Sequence, residues 1–288
     1  MHEKSWSIKG GKVLGPAPFF IAGIVNVTPD SFHDGGRWFD ARAAVAHGRE
    51  LAAQGAHILD VGGESTRPGA AEVSEDEELR RVLPVIAELA TLPRAALPDC
   101  SGEYPVLSVD TFKARVAAES LAAGAGIVND ISACRFDEAL ADVLAQEKPG
   151  YVLMHSQGRP RVMQKAPAYG DVVEEVLAFF EERLQYLCGR GLPEDRIVLD
   201  PGIGFGKTLE HNLRLLREIK RFESLGRPVY MGLSNKSLFQ GLLGLEPGRR
   251  GTATQVATAI LAAKGVAVHR VHDVAETVRT LRLAAAMA

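Results

Sequence analysis

Eight short apolar runs recur along the chain, each ending in a polar or charged cluster and each followed by a stretch with apolar positions at helical spacing. The runs, at 19–25, 57–61, 105–109, 126–128, 151–154, 197–199, 228–231 and 266–271, predict strands. The stretches at 40–54, 74–90, 112–123, 137–145, 172–187, 209–222, 252–263 and 273–285 predict helices. Gly55 stops the first helix, and Ser74 with Glu77 gives the second a capping-box start. This alternation predicts an α/β fold, a single (β/α)8 TIM barrel, rather than a doubly wound sheet. Within the leader at 1–18, Trp6 and Ile8 suit a small ribbon closing the barrel bottom, and 93–104 reads as a surface-loop insertion. Asp60, Asp110, Asn129, Met154, His155, Asp200, Gly232, Arg270 and His272 mark strand ends, and a closed parallel barrel would bring them to one rim, where such folds carry their chemistry.

A length of 288 residues with 46% hydrophobic content suffices for one large core, so one domain over 1–288 is expected. The net charge of −3 comes without long blocks of either sign, which argues against a nucleic-acid or membrane partner and makes any positive site local. Cys100, Cys134 and Cys188 are scattered and odd in number, which suits a reducing compartment and neither a disulfide framework nor a metal cluster. No signal-peptide pattern opens the chain and no apolar stretch approaches the roughly 20 residues of a membrane span, so a cytoplasmic location is expected.

A dinucleotide-binding sheet would place a compact glycine fingerprint after its first strand, where this chain has GIVNVTPDSFHDGG. The run from Gly202 to Lys207 resembles a phosphate loop only superficially, because its spacing differs; anion recognition by its backbone amides stays open. Two carboxylates at strand ends, Asp110 and Asp200, suit the paired hydrogens of an amidine-like N–H edge, and Asn129 both donates and accepts. Together they describe a site for a flat polar heterocycle.

The strings GIVNVTPDSFHDGG at 23–36, GGESTRPG at 62–69, SVDT at 108–111, NDIS at 129–132, LDPGIGFGK at 199–207 and RVHD at 270–273 closely resemble the dihydropteroate synthase family. Their distribution over separate strand ends makes the resemblance specific. It implies the barrel fold, a homodimer, and condensation of 6-hydroxymethyl-7,8-dihydropterin diphosphate with 4-aminobenzoate. By position it implies pterin binding by Asp110, Asn129 and Asp200, with Met154 and Phe205 against the ring faces and Gly232 lining the pocket. It places Lys236 beside the pterin and the acceptor, without deciding between them. Thr66, Ser237 and Pro68 fall at acceptor contacts. Arg270 and His272 would bind the leaving diphosphate, with Arg67 on a loop near the reacting groups. Asn26 would contact Mg²⁺ carried by the diphosphate, while Thr28, Asp34, Gly35 and Gly36 mark a closing first loop. Asp110, Lys236, Arg67 and Asp200 are the expected catalytic set. Two departures stand out: Asn235 where the family commonly has arginine, and Ser156 where it commonly has methionine. A folate-dependent methyltransferase and a noncatalytic pterin-binding protein are the alternatives, and the TPDSF and RVHD segments favour diphosphate chemistry over the former.

Overall fold

The computed structural model describes residues 3–28, 37–66, 69–98 and 100–287. Its strands are β1 (Lys4–Ile8), β2 (Lys12–Ala17), β3 (Phe20–Asn26), β4 (Ile58–Gly62), β5 (Ala95–Leu97), β6 (Cys100–Tyr104), β7 (Val106–Asp110), β8 (Ile127–Asp130), β9 (Gly150–Met154), β10 (Ile197–Asp200), β11 (Tyr230–Met231) and β12 (Val268–Val271). The helices are α1 (Arg37–Ala53), α2 (Glu75–Leu89), α3 (Ala114–Ala122), α4 (Leu140–Glu147), α5 (Val172–Gly189), α6 (Leu209–Arg217), α7 (Leu238–Leu243), α8 (Gly251–Ala263) and α9 (Val274–Ala286). Eight parallel strands run in the order β10-β9-β8-β7-β4-β3-β12-β11. The ends meet through one bridge, Leu199 with Val229, and a bond from Leu199 N–H to the Pro228 carbonyl at 2.9 Å. This is the (β/α)8 barrel expected from the alternation.

A period of two sorts the side chains of every strand. Leu59, Val61, Leu107, Val109, Val128, Leu153 and Leu199 belong to the large core shared with the helices, whereas Phe20, Ile58, Val106, Ile127, Val152, Val198, Tyr230 and Val268 form a separate interior cluster. Trp6, Ile8 and Leu14 of the β1–β2 ribbon join that interior cluster, and Trp6 Nε1 donates to the Arg196 carbonyl at 2.7 Å. The ribbon therefore seals the bottom, and truncating an indole buried this completely typically costs about 3–5 kcal/mol.

The 93–104 segment is not the loop that its composition predicts. It carries the antiparallel pair β5–β6, and Cys100, Tyr104 and half-buried Leu97 join the same bottom cluster. Its alternation is interrupted in the sequence because Gly102, on the same face as Cys100 and Tyr104, has no side chain and is exposed like Ser101 and Glu103. Helix α4 begins three residues later than expected, because Asp137 caps neighbouring α3 by accepting from Ala114 N–H at 2.7 Å. Helix α6 ends at Arg217 and a 3-10 turn, Ile219–Leu225, takes up the remainder of the predicted segment. The short helix α7 is additional to the predicted count. Among the described residues, no helix is long and apolar enough to cross a membrane.

Candidate active site

The same alternation that buries Ile58, Val106, Ile127 and Val268 inside the barrel turns Asp60, Asp110, Asn129 and Arg270 inward, two or four residues further along their strands. Asp60, with no exposed surface, is the centre of this group: its Oδ2 accepts from Arg270 Nε at 2.6 Å and from Asn129 Nδ2 at 3.0 Å. Arg270 Nη2 also donates to Asp110 Oδ2 at 2.6 Å. The guanidinium thus spans two carboxylates and keeps Nη1 clear of hydrogen bonds to the described residues. Burial raises the Asp110 pKa; Arg270 pulls it down, and the neighbouring Asp60 charge pushes it up. Asp60 marked a strand end in the sequence, yet its role as the partner of both Arg270 and Asn129 was not legible there.

The next residue can face the other way. Asp130 accepts from Ser132 N–H, Cys134 N–H and Tyr151 Oη behind the strand wall, so of the two polar neighbours Asn129 and Asp130 it is Asn129 that faces the barrel interior. His269 is likewise buried next to inward-facing Arg270.

Asp200, at the end of β10, accepts from Gly202 N–H at 2.8 Å. Burial lifts its pKa to about 6 against that bond and the pull of Lys236 and Lys207. The GIGFGK turn then folds over, with Gly202, Gly204 and Gly206 all at positive φ. Lys207 is enclosed beneath it and donates to His155 Nδ1 at 2.9 Å and to the carbonyls of Gly202 at 3.0 Å and Phe205 at 3.1 Å. Gly202, Gly204 and Phe205 amides are already bonded within the protein. Three of the turn's amides are thus engaged within the protein, and the turn carries Phe205 to the rim.

Phe205 joins Met154, Ile131 and Met163 in a small apolar cluster at the rim, with Phe112 and Phe136 against it. Lys236 Nζ lies 4.3 Å from the Phe205 ring centroid. Burial lowers the Lys236 pKa to about 8, with Asp200 opposing and Arg270 reinforcing the shift. At Gly232 an added Cβ would meet only Arg270 Cδ, at 4.0 Å, so the glycine leaves space beside the guanidinium. His272 is exposed and its Nδ1 lies 2.9 Å from Ser234 Oγ. Asn26 and Thr66 are half-buried at the ends of β3 and of the segment after β4, and Ser237 is exposed beside Lys236. Lys113 holds both feet of the loop after β4, bonding Glu64 at 2.5 Å and the Val73 carbonyl at 2.7 Å, and reaches buried Glu78 at 2.5 Å. Arg67, Pro68, Asp34, Gly35 and Gly36 lie outside the described residues.

Both departures have local explanations. Ser156 is buried and donates to the Ile131 carbonyl at 2.8 Å, tying β9's exit to that of β8. Asn235 has φ 57°, a left-handed conformation that asparagine tolerates better than arginine.

The rim therefore offers buried acceptors for a hydrogen-bonding edge, apolar surface for a flat ring and cations for an anionic group. A profile of the pterin binding enzyme family matches residues 22–272. The dihydropteroate synthase of Escherichia coli K12 is 42% identical over 264 residues, covering 91% of this chain and 89% of that protein. The Yersinia pestis dihydropteroate synthase, solved with a sulfonamide drug complex, superposes with a TM-score of 0.88 at 38% identity, covering 99% of both chains. The Xanthomonas albilineans dihydropteroate synthase, solved with 4-aminobenzoic acid, gives 0.87 at 44% identity and 98% coverage of both chains.

Proposed function

The chain belongs to the pterin-binding enzyme family, among the dihydropteroate synthases, and we infer from that membership the work of each group on its rim. The protein is a transferase of folate biosynthesis that condenses 6-hydroxymethyl-7,8-dihydropterin diphosphate with 4-aminobenzoate, giving 7,8-dihydropteroate and diphosphate. The observation that supports the site assignment is the convergence of Asp110, Asn129, Asp200, Lys236 and Arg270 on the barrel mouth, next to the Met154–Phe205 surface.

In our reading, Asp110, Asn129 and Asp200 bind the polar edge of the pterin, and Met154 and Phe205 cover its faces. Burial that disfavours a bare carboxylate is relieved when ring N–H groups donate to it. The C–O bond between the exocyclic methylene and diphosphate breaks with its electron pair leaving on oxygen. Asp110 stabilises the cationic ring electrostatically; Arg270, through Nη1, and His272 take the departing anion. The amine nitrogen of 4-aminobenzoate forms the new C–N bond and then loses a proton. Lys236 holds the pterin and acceptor in register, while Thr66, Arg67 and Ser237 border the acceptor. No covalent enzyme intermediate is required, since diphosphate is already a good leaving group.

The donor set at the end of β3 supplies one neutral oxygen, from Asn26, which fits a hard cation that brings its other ligands from diphosphate and water. Mg²⁺ bound there would neutralise charge on the leaving group. Turnover by purified protein should yield dihydropteroate and diphosphate in equal amounts, measured by mass-resolved chromatography, and should stop when EDTA removes the metal. Pterin binding with neither product would overturn the enzymatic reading in favour of a noncatalytic binder; methyl transfer needing a corrinoid partner would favour the methyltransferase.

The pH profile follows from three groups. Asp200 and Asp110, raised by burial to about 6 and about 7, must be ionised to accept ring hydrogens, and Lys236 must be charged, so kcat/KM for the pterin diphosphate should rise between about pH 6 and 7 and fall through about pH 8. Stability of the ligand-free protein has the opposite acid dependence. Since the folded Asp200 pKa lies above its unfolded value, its contribution is fully present below about pH 4 and is lost as pH rises through about 6. A flat kcat/KM profile from pH 5 to 9 would contradict these assignments.

We also propose a homodimer, through the face where Val256 and Ile260 of α8 lie exposed beside α9, which ends near exposed Leu283 and Met287. Light scattering should give the mass of two chains, and Ile260→Glu with Leu283→Glu should give that of one; a monomeric parent protein would rule the dimer out. The free thiols of Cys100, Cys134 and Cys188 support a cytoplasmic location.

A further inference from the structure

Lys236 projects from a five-residue turn, Leu233 to Ser237, on the open rim, and a side chain that must meet two substrates needs a fixed backbone. The turn's own reinforcement is slight: one bond, from Lys236 N–H to the Leu233 carbonyl, at 3.3 Å. Asn235, immediately before the lysine, is exposed and left-handed at φ 57°. Its backbone is nevertheless held on both sides by the start of α8. Thr254 Oγ1 accepts from Asn235 N–H at 3.3 Å, and Arg250 Nη1 donates to the Asn235 carbonyl at 2.9 Å. That carbonyl belongs to the peptide group whose nitrogen is Lys236 N, so Arg250 grips the plane from which the lysine side chain departs.

Arg250 is an unusual residue to find here. It is 6% exposed, and no carboxylate of the described residues pairs with it. Its remaining donors go to the Leu245 carbonyl at 3.0 Å and Gln240 Oε1 at 3.1 Å, on α7 and the segment after it. A buried cation satisfied only by neutral oxygens is costly to maintain, and every oxygen it meets lies between Asn235 and Leu245. Thr254, 3% exposed, is equally enclosed.

We propose that Arg250 and Thr254 are positioning residues for the synthase reaction, which lock the Asn235–Lys236 peptide and thereby set the aim of the Lys236 ammonium between Phe205 and Asp200. The proposal rests on the assigned reaction, and Lys236 faces Asp200, Arg270 and Asp110 within the site.

The test uses the full-length protein with Thr254→Val, Thr254→Ser and Arg250→Lys. Thr254→Val and Arg250→Lys should lower kcat/KM by roughly 10- to 100-fold, the range expected when a catalytic group is displaced by about an ångström. Thr254→Ser should restore it, and Tm should stay close to that of the parent. The activity-independent readout is the titration of Lys236 itself, followed by NMR after ¹³C reductive methylation and assigned with Lys236→Arg. Its midpoint should move upward by at least about one pH unit in Thr254→Val, as the ammonium leaves its enclosed position. An unchanged Lys236 midpoint, or activity lost only in proportion to folded protein, would overturn the proposal. Should the parent protein make no dihydropteroate, the reaction assignment fails, while the NMR midpoint still decides whether α8 places the lysine.

Discussion

Replacing Asp60 with alanine is expected to lower kcat/KM by about 10³-fold, although Asp60 sits below the residues assigned to the substrate. Its Oδ2 holds both Arg270 Nε and Asn129 Nδ2, and it has no exposed surface. Removing one member of a buried charged pair typically costs about 3–5 kcal/mol, because the remaining charge keeps its burial and loses its compensation. At about 1.4 kcal/mol per decade, a loss near 4 kcal/mol felt at the transition state corresponds to about three decades of rate. Arg270 would then pivot toward Asp110, its other partner, and so block the carboxylate intended for the pterin while withdrawing from the diphosphate. Asp60→Asn should be milder, since it preserves volume and one acceptor. Steady-state kinetics alongside thermal melts settle the matter: an Asp60→Ala protein retaining activity within tenfold would remove Asp60 from the positioning of Arg270.

The second large effect concerns a glycine. Gly202→Ala should destabilise the fold by about 3 kcal/mol or more, since left-handed strain and overpacking act together. Gly202 has φ +68°, and an added Cβ would lie 1.9 Å from the His155 carbonyl oxygen, a backbone atom that cannot rotate away. The displaced carbonyl is one of the acceptors of Lys207, so the enclosed ammonium would lose its partners as the turn moved. Gly226 provides the control: at nearly the same φ, +69°, it has open space around its missing Cβ. Gly226→Ala should cost only the backbone term, about 1–2 kcal/mol. Equal losses from the two substitutions in chemical denaturation would show that φ alone, and not the collision, governs position 202.

The alternation of apolar runs carried the fold, and its period of two carried much of the site. Once Ile58, Val106 and Val268 are interior, Asp60, Asp110 and Arg270 must share that side. The same parity separates Asn129 from Asp130, two polar neighbours that composition cannot distinguish. Lys207 was illegible for the opposite reason. A lysine after a glycine-rich turn reads as solvent-facing or anion-binding, and its enclosure depends on carbonyls contributed by His155 on another strand exit and by a turn not yet folded. Arg250 is not legible in the sequence because its partners are backbone oxygens and one amide, none of which has a sequence signature. The β5–β6 ribbon was obscured because only Leu97, Cys100 and Tyr104 meet the interior cluster, too few to register as periodic.

The barrel's closure between β10 and β11 has a thermodynamic corollary. Elsewhere neighbouring strands share ladders of two to five residue pairs, yet here, among the described residues, the cylinder is joined by a single bridge, Leu199 with Val229. Asp200 stands on one side of that seam, and the turn bearing Lys236 leaves from the other. A molecule gripped by both groups acts as a further rung across the gap, so the free energy of its capture is also free energy of closing the cylinder, and occupancy and rigidity of the mouth rise together.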